Sequence, residues 1–366
     1  MKPVYVKGLP PIPDSGVISS AIRNVILKAT DNLSWLSEGE TVLLKPALNS
    51  SDPYPATTHP LAVSVTADLL TRRGAVVAIG DQSGIEHVLH DSGGVIRGRT
   101  VDNFARSGMG DRNDTRFIGF EEGGWDAGFF HHRSAFTGSW QNGFYITSWA
   151  KKADHIISLP RVSTHSIAGT TLGLKSMVGM LRQDSRMEFH ANGPFNGSIT
   201  RAAKGSNLTS ADDGSGKFLE KIVEISDAIR NKLRLTLFLA TEVQVTFGPD
   251  RYGKSIGQTG LGRACVVRPE PGLIFGSADP IAAEAVAMAV LKDAKRHMPL
   301  LPGLLQRIAF FWNPFVMDLD HTAVGDHPYI RHGMKIGLGE MPGDILFENV
   351  PEAVQKRLGG LLQRAG

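Results

Sequence analysis

The sequence predicts an α/β fold: a largely parallel or mixed β-sheet flanked by helices, in two lobes with a crevice between them. Short runs of β-type residues alternate with helical patterns along the chain, an order typical of parallel sheets. Residues 93–143 are rich in Gly, Arg, Asp and aromatic side chains without a sustained period, which indicates an irregular or β insertion. We expect an N-terminal lobe over residues 1–150 that carries this insertion and a C-terminal lobe over residues 151–366, with one compact domain as the alternative.

The first half of the chain contains a strand, helix, strand unit. Asp14 and Ser15 precede a stretch with helical apolar spacing and suit a helix cap. The predicted elements are a helix at residues 17–29, a buried strand at 41–44, a helix at 60–73 and a strand at 75–80. Ligands bind beyond the carboxyl ends of such strands. Lys45 and Asp81 lie there, so we expect both to face one crevice.

The second half continues the alternation of strands and helices. The predicted elements are strands at 156–159, 235–247 and 262–268, a helix at 218–231, and a strand at 274–276 that we expect to be the last of the sheet. Asp279 and Pro280 suit the cap and the first turn of a helix that continues to Leu291.

Composition and charge narrow the class of protein. The formal net charge is +3 and the basic residues are dispersed, so a nucleic-acid groove is not indicated. Cys265 is the single cysteine, which excludes an intrachain disulfide and an iron–sulfur cluster held by cysteines of this chain alone. The N-terminus lacks the pattern of a signal peptide, and no segment has the ~18 uninterrupted apolar residues of a transmembrane helix. We therefore expect a cytoplasmic protein.

A basic motif between residues 159 and 190 is the strongest functional signal. Its polar and basic members, set among glycines, are His165, Thr170, Thr171, Lys175, Arg182, Arg186 and His190. The glycines leave room for a ligand, and the threonine hydroxyls can donate hydrogen bonds. This combination suits an anionic ligand, proton transfer or a metal.

A second polar group follows the strand at 41–44. Lys45 is followed by Thr57, Thr58 and His59, and Pro60 opens the next helix. Backbone amides and the helix dipole favour an anion at such a helix start. We expect this group to bind a phosphate or a carboxylate together with the basic motif. A local helix cap is the alternative role for His59.

Three blocks of the sequence resemble the family called domain of unknown function 362. The blocks are Leu159-Pro160-Arg161 with His165 and residues 171–175, then Leu43-Leu44-Lys45-Pro46 with residues 74–81, and residues 271–280 with Glu284. Arg161 stands where family members often have Lys, and Glu284 where Asp is usual. Relatives are often fused to ferredoxin-like iron–sulfur segments, so the resemblance implies an iron–sulfur redox partner for this chain.

The basic motif is also distantly similar to lactate racemase, which belongs to another family, in the order of a His, a Lys and a second His. That similarity implies that His165 is a proton-transfer base, that Lys175 holds a nickel-pincer nucleotide covalently, and that His190 ligates nickel. The second base of the racemase has no counterpart, because residues 80–84 contain no His. A one-base or redox step therefore suits this chain better than a two-base racemisation.

Two classes of function stay open. The first is an enzyme, isomerase-like or oxidoreductase-like, that acts on a small anionic metabolite in the crevice, with or without a metal ion or organometallic nucleotide. Its predicted catalytic residues are His165, Lys175, His190 and Asp81, with His190 also the metal ligand. Its predicted cofactor-binding residues are Lys45, Thr57, Thr58, His59, Thr170, Thr171, Lys175, Arg182 and Arg186. The second class is a non-catalytic binding or maturation protein that works with an iron–sulfur partner.

Residues 297–317 form an apolar and aromatic segment that prolines interrupt. The segment is too short to span a membrane. It can cover a core, pair two subunits in a homodimer, or rest on a membrane surface. We favour core or dimer packing.

Overall fold

An eight-stranded β-sheet forms the centre of the protein. The computed structural model describes residues 2–110, 116–194, 197–209, 213–251 and 264–363. From one edge to the other the strands are β16 (Ile345–Glu348), β1 (Val4–Gly8), β15 (Leu273–Ser277), β12 (Leu233–Ala240), β9 (His155–Leu159), β2 (Thr41–Pro46), β3 (Val76–Asp81) and β6 (Arg116–Gly119). Among these strands β15 alone runs against its neighbours, so the sheet is largely parallel, as predicted.

Smaller sheets accompany the main one. A four-stranded sheet has the order β11 (Gly169–Thr171), β10 (Ser163–His165), β13 (Val243–Gln244) and β14 (Val266–Val267), and two hairpins are β4 (Leu89–Asp91) with β5 (Gly94–Arg97) and β7 (Phe129–His132) with β8 (Phe144–Thr147). The predicted insertion at residues 93–143 thus contains β5, β6 and β7. Of these, β6 extends the edge of the main sheet.

Helices cover both faces of the main sheet. They are α1 (Ser15–Ala29), α2 (Pro60–Thr71), α3 (Thr100–Arg106), α4 (Trp149–Lys152), α5 (Gly173–Ser176), α6 (Gln183–Ala191), α7 (Gly197–Ala202), α8 (Phe218–Glu224), α9 (Pro280–Arg296), α10 (Leu300–Phe310), α11 (Pro314–Met317), α12 (Pro328–Lys335) and α13 (Glu352–Leu362). Val42 and Leu44 of β2 pack with α1 and α2, whereas Leu43 packs in the core that α8, α9, α12 and α13 cover. Because side chains alternate along a strand, Lys45 lies on the Leu43 face.

The sequence signals for two helix starts are confirmed. Asp14 Oδ1 accepts a 2.8 Å hydrogen bond from the backbone nitrogen of Val17, and Asp279 Oδ1 accepts from Ile281 N and Ala282 N at 2.8 and 2.9 Å. Each carboxylate satisfies a backbone donor that has no partner inside the helix.

The prediction that residues 274–276 are the last strand of the sheet is wrong. β15 pairs with β1, and β1 pairs with β16 on its other side. β16 is a short edge strand whose residues stay partly exposed, so it lacks the apolar alternation that marks a half-buried strand. Strands from both sides of residue 150 share the main sheet. The division into two lobes stays a prediction.

The apolar segment at residues 297–317 forms α10 and α11. One side of α10 does not pack in the core of the chain, because Leu300, Leu301, Leu304 and Ile308 are exposed. The other side is buried through Gln306 and Phe310. Dimer packing of this segment stays a prediction. None of the helices in the described part of the chain combines the length and the apolar character that a membrane crossing needs.

Candidate functional site

The candidate site lies at the topological switch point of the main sheet, where the order in which the chain adds strands reverses. From β2, the chain adds β3 and β6 on one side and β9 and β12 on the other. Ligands of open α/β sheets bind beyond the carboxyl ends of the strands at such a switch point. Lys45 is the neighbour of Ser158 across β2 and β9, and Arg161 follows the end of β9. The two polar groups predicted from the sequence therefore meet at one edge of the sheet.

The basic motif folds as a tight hairpin followed by a short helix. β10 and β11 pair antiparallel, with Thr164 opposite Thr170, and α5 starts soon after β11. Gly169 is required at the turn because its φ is +78° and a Cβ there would clash with the carbonyl oxygen of Phe315. The hairpin returns the chain so that the charge of Lys175 acts on His165.

Lys45, Asp81 and Arg186 form what we call the paired cluster. Lys45 Nζ lies 2.8 Å from Asp81 Oδ1 and donates to the carbonyl oxygen of Pro46 at 2.6 Å. The carboxylate of Asp81 also accepts from two backbone nitrogens at 2.7 and 2.8 Å. Arg186 donates to backbone oxygens at 2.7 to 3.1 Å. Each charged group of this cluster thus has partners inside the protein.

Gly179 lets the basic motif lie directly on the Lys45–Asp81 ion pair. A Cβ at Gly179 would overlap Asp81 Oδ1 and would lie 2.9 Å from Lys45 Nζ. Lys45 Nζ is also 3.4 Å from Ser176 Oγ. Lys45 is 0% exposed, and burial lowers its pKa while Asp81 opposes that shift. The ion pair is therefore enclosed between the sheet edge and the motif.

Arg161, His165, Lys175 and His190 form what we call the unpaired cluster. Lys175 is 8% exposed, and within the described residues its Nζ has no acceptor, its recorded contact being the Phe189 ring at 5.8 Å. Burial, followed by the charges of Arg186, Arg161 and Lys45, lowers the pKa of Lys175 to about 7. A lysine that titrates near neutral pH holds an anion when protonated and is a base or nucleophile when neutral.

Arg161 is buried with two of its three guanidinium nitrogens unused. It is 1% exposed, and its Nη1 donates to the carbonyl oxygen of Ala56. Nε and Nη2 have no acceptor among the described residues. These two nitrogens form one edge of the guanidinium, the fork that binds a carboxylate or phosphate through two parallel hydrogen bonds. Burial lowers the pKa of Arg161 to about 10, so the group is charged at neutral pH.

The two histidines of the unpaired cluster offer different nitrogens. Burial, followed by the charge of Lys175, lowers both pKa values, that of His190 to about 3, so both rings are neutral. His165 Nδ1 accepts from Ile167 N and Ala168 N at 3.0 and 3.1 Å, which places its proton on Nε2. His190 Nδ1 donates to the carbonyl oxygen of Arg186 at 2.7 Å, which leaves a lone pair on Nε2. His165 thus offers a donor and His190 an acceptor.

A comparison with known protein families supports the resemblance that the three sequence blocks indicated. A family model described as Domain of unknown function (DUF362) matches residues 42–289, a range that contains both clusters. The chain belongs to this family. No curated protein and no solved structure shows a significant match to the chain. The similarity to lactate racemase and the nickel-pincer nucleotide stay predictions.

Several predicted binding residues of this DUF362 chain have local partners. Thr57 Oγ1 donates to the carbonyl oxygen of Asp52 at 2.9 Å, and Thr58 Oγ1 accepts from Ala47 N at 2.7 Å and donates to the carbonyl oxygen of Leu159. His59 Nδ1 accepts from Leu61 N at 3.1 Å and caps α2, which is the local role considered above. These contacts hold the loop after β2 against the end of β9.

Of the remaining predicted residues of the basic motif, one has partners near it in the structure and two have none among the described residues. Arg182 donates to Asp184 at 2.7 Å and stacks over the Tyr145 ring at 3.4 Å, so its guanidinium is engaged away from the unpaired cluster. The hydroxyls of Thr170 and Thr171 are buried and have no hydrogen-bond partner among the described residues. Because neighbouring side chains of a strand point to opposite faces, these two hydroxyls do not face one ligand together.

Two residues of the DUF362 blocks were not among the predicted site residues. Arg161 was signalled by its position directly after the end of the strand. Glu284 is a lone carboxyl in the apolar first part of α9, and its Oε2 accepts from Leu174 N at 3.0 Å at the start of α5. Burial raises the pKa of Glu284 to about 8, so a neutral carboxyl group positions the helix that carries Lys175.

A separate group of potential metal ligands lies near the site. Glu86, His87 and Asp250 place ligand atoms within 4.8 Å of one another, with His87 Nε2 at 2.8 Å from Asp250 Oδ2. The charge of Arg161 also acts on Asp250, which disfavours a cation there. His190 is not part of this group, and the metal at His190 stays a prediction.

Proposed function

We propose that the chain is an enzyme that binds a small anionic metabolite, carrying a carboxylate or a phosphate, at the carboxyl ends of β2 and β9. The observation that carries this proposal is the unused edge of Arg161 beside an unpaired Lys175. A buried charge without partners costs free energy. An anion held by the Arg161 fork and by protonated Lys175 would supply the missing partner.

In the proposed reaction, the two histidines of the unpaired cluster act on the substrate. His190 Nε2 is the acceptor for a substrate proton, and His165 Nε2–H donates to a developing negative charge on a substrate oxygen. The proposed base is therefore His190 and not His165, because the Nδ1 of His165 is occupied by two backbone donors. The reaction class is a proton transfer next to the anionic group of the metabolite.

Inorganic phosphate and acetate are the probes for the binding step. Both should raise the melting temperature of the wild-type protein, by an amount that grows with the logarithm of the probe concentration above its Kd. Arg161→Gln and Lys175→Gln should lose most of that rise. Arg182→Gln is the matched control, because it removes a motif arginine whose donors are already engaged. An equal rise in all four proteins would place the anion elsewhere.

Catalysis is tested separately from binding. Among metabolites that stabilise the wild type, His190→Gln should abolish turnover of the substrate while its Kd changes by about twofold or less. His131→Gln, at a histidine outside both clusters, is the control. Lys175→Arg should retain part of the affinity if Lys175 is an anion anchor, and should be as inactive as Lys175→Ala if Lys175 is a nucleophile or covalent anchor. Anion binding without turnover of any candidate would favour the alternative of a binding or maturation protein.

A further inference from the structure

The exposed side of α10 and the two residues that follow it form one apolar surface, which we call the α10 face. Its members are Leu300, Leu301, Leu304, Ile308, Phe311 and Trp312. Leu300 is 93% exposed and Ile308 is 62% exposed. Residues at i, i+4 and i+8 of a helix share one side, so these side chains form a stripe. Exposed apolar patches of this kind mark contact sites for proteins or membranes.

The side of α10 opposite the α10 face packs against the body of the protein. Gln306 and Phe310, on the opposite side of the helix, are buried, and the Phe310 ring packs 5.8 Å from the Phe247 ring. The exposure of the stripe therefore belongs to a fixed surface and not to a loose end of the chain.

The charge around the α10 face favours an anionic partner. Residues 294–317 contain no Asp or Glu, although acidic residues number 36 in the chain of 366. Arg296, four residues before Leu300 in the chain, and Arg307, next to Ile308, are both exposed. Phe311 and Trp312 lie at its end, and aromatic side chains favour the interface between lipid and water.

The size of the α10 face argues against a second copy of this chain as its partner. Its six apolar side chains are far fewer than the roughly 20–30 residues that each partner contributes to a standard dimer interface. An amphipathic helix of 11 residues is sufficient, however, to insert its apolar side into the head-group region of a bilayer.

We propose that the α10 face docks on a membrane surface that contains anionic phospholipids. The apolar stripe enters the boundary between head groups and acyl chains, and Arg296 and Arg307 meet the phosphates.

The docked surface lies next to the unpaired cluster. Asn313, which follows the stripe, donates from Nδ2 to the carbonyl oxygens of Ser166 and Ile167 at 2.7 and 3.1 Å. The backbone nitrogen of Ile167 in turn donates to His165 Nδ1. Membrane contact would therefore be made beside the loop that orients His165.

Vesicle co-sedimentation of the full chain tests this proposal without any ligand in the site. Vesicles of phosphatidylcholine mixed with phosphatidylglycerol should carry the wild type into the pellet. Ile308→Gln should weaken the partition about tenfold. Ile12→Gln is the matched control, because Ile12 is 94% exposed outside the face, and it should sediment like the wild type.

A charge variant completes the test. Arg296→Gln with Arg307→Gln should weaken binding to these vesicles about fivefold per charge and should have little effect on vesicles of phosphatidylcholine alone. Equal sedimentation of the wild type and Ile308→Gln would overturn the proposal. So would a concentration-dependent dimer in analytical ultracentrifugation that Ile308→Gln abolishes, if the wild type leaves vesicles unbound. Neither result bears on anion binding at Arg161.

Discussion

The paired cluster and the unpaired cluster both consist of buried side chains, most of them basic, and they differ in how their charges are balanced. In the paired cluster, Lys45 faces Asp81 at 2.8 Å, and Arg186 donates to backbone oxygens. In the unpaired cluster, Arg161 keeps two nitrogens without acceptors among the described residues, and Lys175 faces an aromatic ring. The same residue types therefore serve packing in one group and remain available to a ligand in the other. Burial alone does not distinguish the two roles.

The largest expected effect is a loss of stability on removing the lysine of the paired cluster. Lys45→Met leaves the Asp81 carboxylate buried without its cation, and breaking such a pair costs about 3–5 kcal/mol of unfolding free energy. Chemical denaturation at neutral pH measures this loss. The same substitution at Lys175 is the control and should not lower the unfolding free energy, because it leaves no carboxylate unpaired and removes a buried charge that has no partner. Equal losses at the two positions would remove the distinction between the clusters.

A smaller effect concerns the pH dependence that Lys175 imposes. Its pKa is about 7 in the folded chain and ~10.4 in an unfolded chain. Between these values the unfolded state holds the additional proton, so stability rises with pH. From about pH 7 to about pH 9 the wild type should gain about 1 kcal/mol or more relative to Lys175→Met. Urea denaturation of both proteins at the two pH values measures this difference. A constant difference would mean that Lys175 is already compensated.

The smallest effect concerns the neutral carboxyl group that positions α5. The pKa of Glu284 is about 8 in the folded chain and ~4.3 in an unfolded chain. Here the folded state holds the additional proton between those values, so stability falls as pH rises. Glu284→Gln keeps an acceptor for Leu174 N and removes this dependence. Its stability relative to the wild type should rise by about 1 kcal/mol from about pH 5 to about pH 6. A carboxylate that is charged at neutral pH would instead make Glu284→Gln the less stable protein at both values.

The sequence was sufficient to predict which strand ends form the site. The strand ends that carry Lys45 and Asp81 follow from apolar runs and from the rule for parallel sheets, and the structure places both residues at the same edge. The helix starts at Asp14 and Asp279 follow from capping chemistry. Local signals of this kind are written in a few neighbouring residues, which is why they can be recognised before the fold is known.

The balance of charges could not be predicted from the sequence. Arg182 and Arg186 look like ligand-binding residues along the chain, but tertiary contacts engage them elsewhere: Arg182 stacks over the Tyr145 ring, and Arg186 donates to the backbone oxygens of residues 82 and 83. Arg161 was not among the predicted site residues, because nothing in the sequence shows that its Nε and Nη2 lack acceptors among the described residues. The edge strand β16 was missed for a related reason, since its pairing with β1 depends on residues far apart in the chain.

The position of β1 in the sheet has a consequence for synthesis. Gly8 of β1 pairs with Leu273 of β15, about 265 positions later, and β16 is made later still. At ~5–20 residues per second, the ribosome needs on the order of 10–50 s to deliver the first of these partners. Val4 and Val6, which are buried in the finished sheet, are therefore exposed during translation. The nascent chain must carry an unmatched apolar strand until its last quarter emerges, which makes the β1 segment a target for a chaperone that binds extended apolar peptides.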